Sequence, residues 1–234
     1  MSSFRKLVED IINRELLNAD DAIEANKFAT EVLREFFNKL DQIVFNQLHN
    51  IGLEIVFDIK APNLQNILTF HLFIGTSVDY SKYNRRDGHI VILLQDFYSL
   101  LYTDYIADRV RHEVVHYYDD FIAQKGLIKT YSDLNDIKAN PGRYVRSDNE
   151  VSAYYAGACD FVYRNILYYL QYDHARGLAS KSFLDNYNRA FNRICSEPTQ
   201  PLNSAFLHYT QEEKAILYNA IKEYILKLME KENV

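Results

Sequence analysis

The chain has 234 residues, 48% of them hydrophobic and 14% aromatic, which suits a single domain with a sizeable core. A formal charge of −6 and a pI near 5.7, with no basic stripe or finger spacing, argue against nucleic acid as a partner. No apolar stretch is long enough to span a bilayer, and two cysteines, Cys159 and Cys195, do not suggest a disulfide scaffold.

The first predicted element is an amphipathic helix with Phe4, Leu7, Val8, Ile11, Ile12 and Leu16 at helical spacing. Glu9, Asp10, Arg14 and Glu15 interrupt those apolar positions, unlike a signal peptide, so a cytoplasmic product is expected. A longer helix follows over 22–49, where Ile23, Phe28, Val32, Leu33, Phe36, Phe37, Leu40, Ile43, Val44 and Leu48 mark one face and Gly52 ends the element. The period then changes. Residues 53–59 alternate like a half-buried strand, 67–74 and 89–95 supply two more, and the segment 80–88 between them reads as a polar loop containing Lys82, Arg85, Arg86 and Asp87. One strand is expected to form a cleft wall to which an extended peptide could add.

From 96 to 124 there is no Pro or Gly, and Phe97, Leu100, Leu101, Val110, Val114, Phe121 and Ile122 fit one long, largely buried helix, stopped by Gly126. In its middle stands His112-Glu113-Val114-Val115-His116. Histidines at i and i+4 lie on one helical face and can converge on a single tetrahedral ion. Glu113, about 100° around the helix from His112, can hold a zinc-bound water without ligating the metal. A catalytic zinc site needs a third protein ligand and a position left open.

The segment 125–148 is read as a loop with a turn at Asn140-Pro141-Gly142-Arg143, and Arg143 and Arg146 as partners of surface acids in preference to a substrate carboxylate. A second helix is predicted from Asp148 to about Tyr172, with Val151, Tyr154, Tyr155, Ala158, Phe161, Val162 and Leu167 apolar and Gly157 interrupting. Glu150 in its first turn is the favoured third ligand. The competing reading is a capping box, Ser147-x-x-Glu150, in which the carboxylate turns back to its own helix. Asp160, Asp119 and Asp120 are the substitutes. Two further helical patterns, 183–194 and 211–229, flank a loop at 198–201.

His112-Glu113-Val114-Val115-His116 followed by Asn149-Glu150 resembles a gluzincin, the thermolysin-like branch of the zincin metallopeptidases. The resemblance implies Glu150 as zinc ligand and Glu113 as base. It covers the two metal-bearing helices. Asp120 matches an acidic position of that branch, whereas Tyr154 stands where the branch has an aspartate that supports the first histidine. The family takes its oxyanion donor from a Tyr or His downstream of the glutamate helix, which points to His208 and Tyr209, with His174 and Tyr155 as rivals. Richness in Tyr, Asn, Ile and Lys, with no Trp, resembles products of AT-rich genomes, many phage proteins among them.

The expected fold class is α+β: a mostly helical zincin-like domain over 1–234 with a small sheet beside the HExxH helix. Within it, 1–52 are N-terminal helices, 53–95 the sheet, 96–172 the metal-bearing helices and 173–234 a helical C-terminal part. The expected function is zinc-dependent hydrolysis of a peptide bond by a zinc-bound water that Glu113 activates, on a protein or peptide substrate. The alternative is a catalytically inactive zincin-fold binding or structural protein.

Overall fold

The computed structural model describes residues 17–47, 54–60, 67–77, 80–95, 103–127, 134–177, 182–196 and 202–232. The helix expected over 4–16, the first part of the helix expected from 96, and the 198–201 loop lie outside the described residues. The architecture is α+β and mostly helical, with one four-stranded mixed sheet. It divides into two compact units, Ala25–Gly126 and the combination of Met1–Glu24 with Leu127–Val234.

Helix α1, Ala19–Gln47, begins where the Asn18 Oδ1 accepts the backbone N–H groups of Asp20 and Asp21 at 2.8 and 3.2 Å. This satisfies two of the donors that a helix start leaves open, and the two aspartates suit its positive dipole end. In the first unit its face meets the sheet formed by β1 (Glu54–Ile59), β2 (Leu68–Ile74), β3 (Tyr80–Asn84) and β4 (His89–Leu94), in the order β1-β2-β4-β3. The pairs β1/β2 and β3/β4 are antiparallel and β2/β4 is parallel.

Alternation along each strand puts Phe57, Phe70 and Ile90 in register on the buried face. Phe36 of α1, fully buried, sits 5.3 Å from the Phe57 ring and 5.1 Å from Phe70. Phe36→Ala is therefore expected to cost about 3–5 kcal/mol, read as a lower urea midpoint at unchanged slope; a loss under about 1 kcal/mol would mean that this cluster is not the core of the unit.

The segment 80–88 is not a loop. Residues Tyr80–Asn84 form the edge strand β3, and a tight turn with Gly88 at φ 66° leads into β4. Its outward side chains are polar, as an edge tolerates, so the apolar alternation that marks an inner strand is missing. Tyr83 turns inward, 3% exposed.

Helix α2, Thr103–Tyr117, carries the HExxH motif and runs directly into a π-helical turn, Tyr118–Ile122, where the Ala123 N–H donates to the Tyr118 carbonyl at 2.9 Å. Such a turn widens the helix by one residue and is frequent beside functional sites. The run then ends through two left-handed residues, Gln124 at φ 51° and Gly126 at φ 64°; glycine carries the second without steric cost.

The described elements of the second unit beyond α1 are all helices: α3 (Leu134–Ala139), α4 (Pro141–Tyr144), α5 (Asp148–Ala175), α6 (Phe183–Ser196), α7 (Asn203–Phe206) and α8 (Gln211–Glu232). The expected 125–148 loop thus contains two short helices, and Pro141 opens the second of them, where its missing N–H costs nothing. Aromatic rings join α6 to α8, with Tyr187 and Phe191 at 4.8 and 5.1 Å from Tyr218. Cys159 is fully buried in the same core, and burial pushes its thiol up, as a packing role predicts.

Candidate metal centre

One turn apart on α2, His112 and His116 aim the same ring nitrogen at one point. Their Nε2 atoms are 3.1 Å apart, with ring planes crossed at 84°. Two imidazoles held about 2.0–2.1 Å from one tetrahedral ion have ligating nitrogens roughly 3.3 Å apart, so the pair already has the spacing of a chelate. Val110, Val114 and Val115, all fully buried, seat the helix and leave the histidine face no freedom to rotate.

Further contacts hold that face from both sides. Arg111, next to His112 and buried, donates from Nη1 to the Asn26 Oδ1 at 3.0 Å and so ties α2 to α1. Tyr83 of β3 stacks on His116 at 6.4 Å and 25°. Burial, and next the Asp120 carboxylate, hold the Tyr83 phenol proton in place, so a neutral ring faces the imidazole. Arg85, in the turn after β3, pairs with Asp120 at 3.3 Å, and Lys125 with Asp119 at 2.9 Å.

Glu113 is 5% exposed, and among the described residues nothing hydrogen-bonds or ion-pairs with its carboxylate. Its oxygens are not among the buried polar atoms without a partner, so the carboxylate reaches the surface beside the histidines.

Glu150 stands in the first turn of α5, 1% exposed, with the Asn149 Nδ2 donating to its Oε1 at 2.9 Å. The capping box does not form. Ser147 occupies the N-cap with extended backbone, but its Oγ and its N–H both donate to the Tyr144 carbonyl, at 2.8 and 3.0 Å. No donor remains at the N-cap for the Glu150 carboxylate to turn back to. The substitute ligands are engaged in ion pairs: Asp119 and Asp120 as above, and Asp160 with Arg164 at 2.7 Å.

The two expected oxyanion donors fall in the turn between α7 and α8. His208 is exposed and its carbonyl accepts from the Arg146 Nη2 at 2.5 Å. Tyr209 is buried, and its hydroxyl donates to the Val145 carbonyl at 2.7 Å. Burial, then the neighbouring charges of Glu150 and Glu213, raise its phenol above the ordinary range. Of the rivals, Tyr155 donates to the Ala220 carbonyl at 3.2 Å, and His174 is exposed in the last turn of α5.

Family models, curated proteins and solved structures give no significant match to this chain. The site residues themselves carry the functional conclusion.

Two contributors were not singled out from the sequence, and a third, Arg146, was given the wrong kind of partner. Tyr83 was hidden in a stretch whose polarity looked like a loop, although its ring turns inward. Asn149 reads only as half of the Asn-Glu pair, and its bond to Glu150 needs coordinates. Arg146 pairs with Glu213, which is 8% exposed, and not with a surface acid; Thr210-x-x-Glu213, a capping box spelled in the sequence, was the available signal that Glu213 is fixed.

Proposed function

We propose that this protein is a zinc peptidase in which His112, His116 and Glu150 bind the metal and Glu113 is the general base. The observation that carries the reading is the HExxH face of α2, where the Nε2 atoms of His112 and His116 lie 3.1 Å apart beside the carboxylate of Glu113. Two imidazole nitrogens and one carboxylate oxygen are the ligand types of a zinc site that keeps a position for water or substrate. When bound, zinc supplies a Lewis acid that polarises the scissile carbonyl and makes water a better nucleophile.

The chain's own residues do the rest. Glu113 takes a proton from the attacking water and passes it to the leaving amine. Asn149 fixes one oxygen of Glu150 by donating to it. Tyr83 packs against His116 and keeps bulk water off that ring.

A protein or peptide is the substrate class that suits β3. This strand pairs with β4 on one side only and contributes the ring that packs on His116, so an extended peptide adding to its free edge would run past the HExxH helix. Zinc uptake that depends on His116 and Glu150 tests the metal, and hydrolysis of an unfolded protein substrate tests the reaction. Zinc bound without hydrolysis would leave a zincin-like scaffold with no peptidase activity.

A further inference from the structure

We infer that Arg146 is a positioning residue for Glu150, clamping the chain that enters α5 to the start of α8; the inference rests on the reading of Glu150 as a zinc ligand. Four residues before Glu150, the Arg146 guanidinium spends its donors on three separate pieces of chain. Its Nε and Nη2 reach the two carboxylate oxygens of Glu213 at 2.6 and 3.0 Å, a fork-to-fork pair. Its Nη1 donates to the Gly142 carbonyl of α4 at 2.7 Å, and Nη2 also to the His208 carbonyl at 2.5 Å.

Both ends of this clamp are fixed independently. On the α8 side, the Glu213 Oε2 accepts the Thr210 N–H at 2.6 Å, while the Thr210 Oγ1 accepts the Glu213 N–H at 3.2 Å, so the carboxylate is rigid before the arginine arrives. On the α5 side, the Tyr209 hydroxyl donates to the carbonyl of Val145, the residue before Arg146. The chain at 145–147 is thus gripped from the 208–213 turn by backbone and side chain together, and Glu150 follows within the first turn of a stiff helix. Hydrogen bonding to Glu213 raises the Arg146 pKa, so the pair stays charged.

Gly142 shows how closely the clamp is built. A Cβ there would lie 2.9 Å from the Arg146 Nη1, and that nitrogen cannot swing away without the guanidinium surrendering the bonds that Nε and Nη2 make to Glu213 and His208. The arginine neither touches the ligand carboxylate nor carries chemistry. It sets where the first turn of α5 sits, and an ill-placed ligand binds metal more weakly even when every ligand is present.

The test is calorimetric titration of zinc into the chelator-stripped full chain for wild type, Arg146→Ala, Arg146→Lys, Glu150→Gln and Arg146→Ala with Glu150→Gln. Arg146→Ala is expected to weaken zinc binding about tenfold or more. Arg146→Lys should fall between it and wild type, because an ammonium keeps the charge but not the fork. In the Glu150→Gln background, removal of Arg146 should cost nothing further, since its effect passes through that carboxylate.

Additive losses in the double variant would show a general loss of structure and overturn the inference, as would wild-type affinity in Arg146→Ala. Should Arg146→Ala not fold, Arg146→Lys and Gly142→Ala take its place, each alone and with Glu150→Gln, under the same two criteria. Failure of wild type to take up zinc, or wild-type affinity in Glu150→Gln, would instead remove the underlying reading of Glu150 and the inference with it.

Discussion

About one zinc ion per chain is expected in the purified full-length protein by elemental mass spectrometry, and essentially none in His116→Ala or Glu150→Ala. Loss of an outer partner of a metal ligand costs roughly 10–100-fold in affinity, so loss of one of three direct ligands should exceed about 100-fold and empty the site on dialysis. The chelating histidines are held on a helix whose neighbours Val110, Val114 and Val115 are fully buried, so truncating His116 removes a nitrogen without collapsing its surroundings.

Zinc should also stabilise the fold. At a free concentration about 1,000 times Kd, binding to the native state alone adds roughly 4 kcal/mol. In a chain of this length that corresponds to about 8–16 °C in Tm. A thermal melt with and without a chelator reads it directly. No zinc after supplementation would end the metal reading. Zinc lost from His116→Ala but kept in Glu150→Ala would move the third ligand elsewhere.

The second large effect is on turnover. Glu113→Gln is expected to bind zinc as wild type does and to lose about 10²–10⁴-fold in kcat against an unfolded protein substrate. The substitution preserves shape and removes only the group that accepts a proton. Among the described residues Glu113 has no hydrogen bond to lose, so the fold should not suffer. A variant as active as wild type would refute a general-base role. A variant that loses zinc would make Glu113 part of the metal's own surroundings. Wild type that holds zinc but hydrolyses nothing would identify a zinc-stabilised scaffold, with Glu113 idle.

Most elements were legible because their signals are local. The apolar stripe of α1, the period change at Glu54 and the Gly126 stop each express a repeat or a backbone preference spanning a few residues. Where an element draws its stability from elsewhere, the pattern fails. β3 is a strand because β4 completes it, and its own residues Ser81, Lys82 and Asn84 look like a solvated turn. The π turn after Tyr117 has no spelling at all, since one added residue in a helix leaves the apolar pattern readable as plain helix.

The site divides in the same way. His112, Glu113 and His116 could be named as a set because helical geometry alone places i and i+4 on one face. Glu150 was ambiguous in sequence, and only the capping-box reading is removed, by Ser147, whose Oγ and N–H both go to the Tyr144 carbonyl. Glu213 lies 67 residues from Arg146, and Val145 lies 64 residues from Tyr209. By itself, then, the amino-acid order determined the long described helices, three of the four strands and the chemistry that the motif can perform, all of them consequences of short-range periodicity, and missed the short helices α3, α4 and α7. Only tertiary structure decided the strand order, the edge that β3 presents and the clamp at the start of α5, because these are contacts between distant segments whose energies no local pattern encodes.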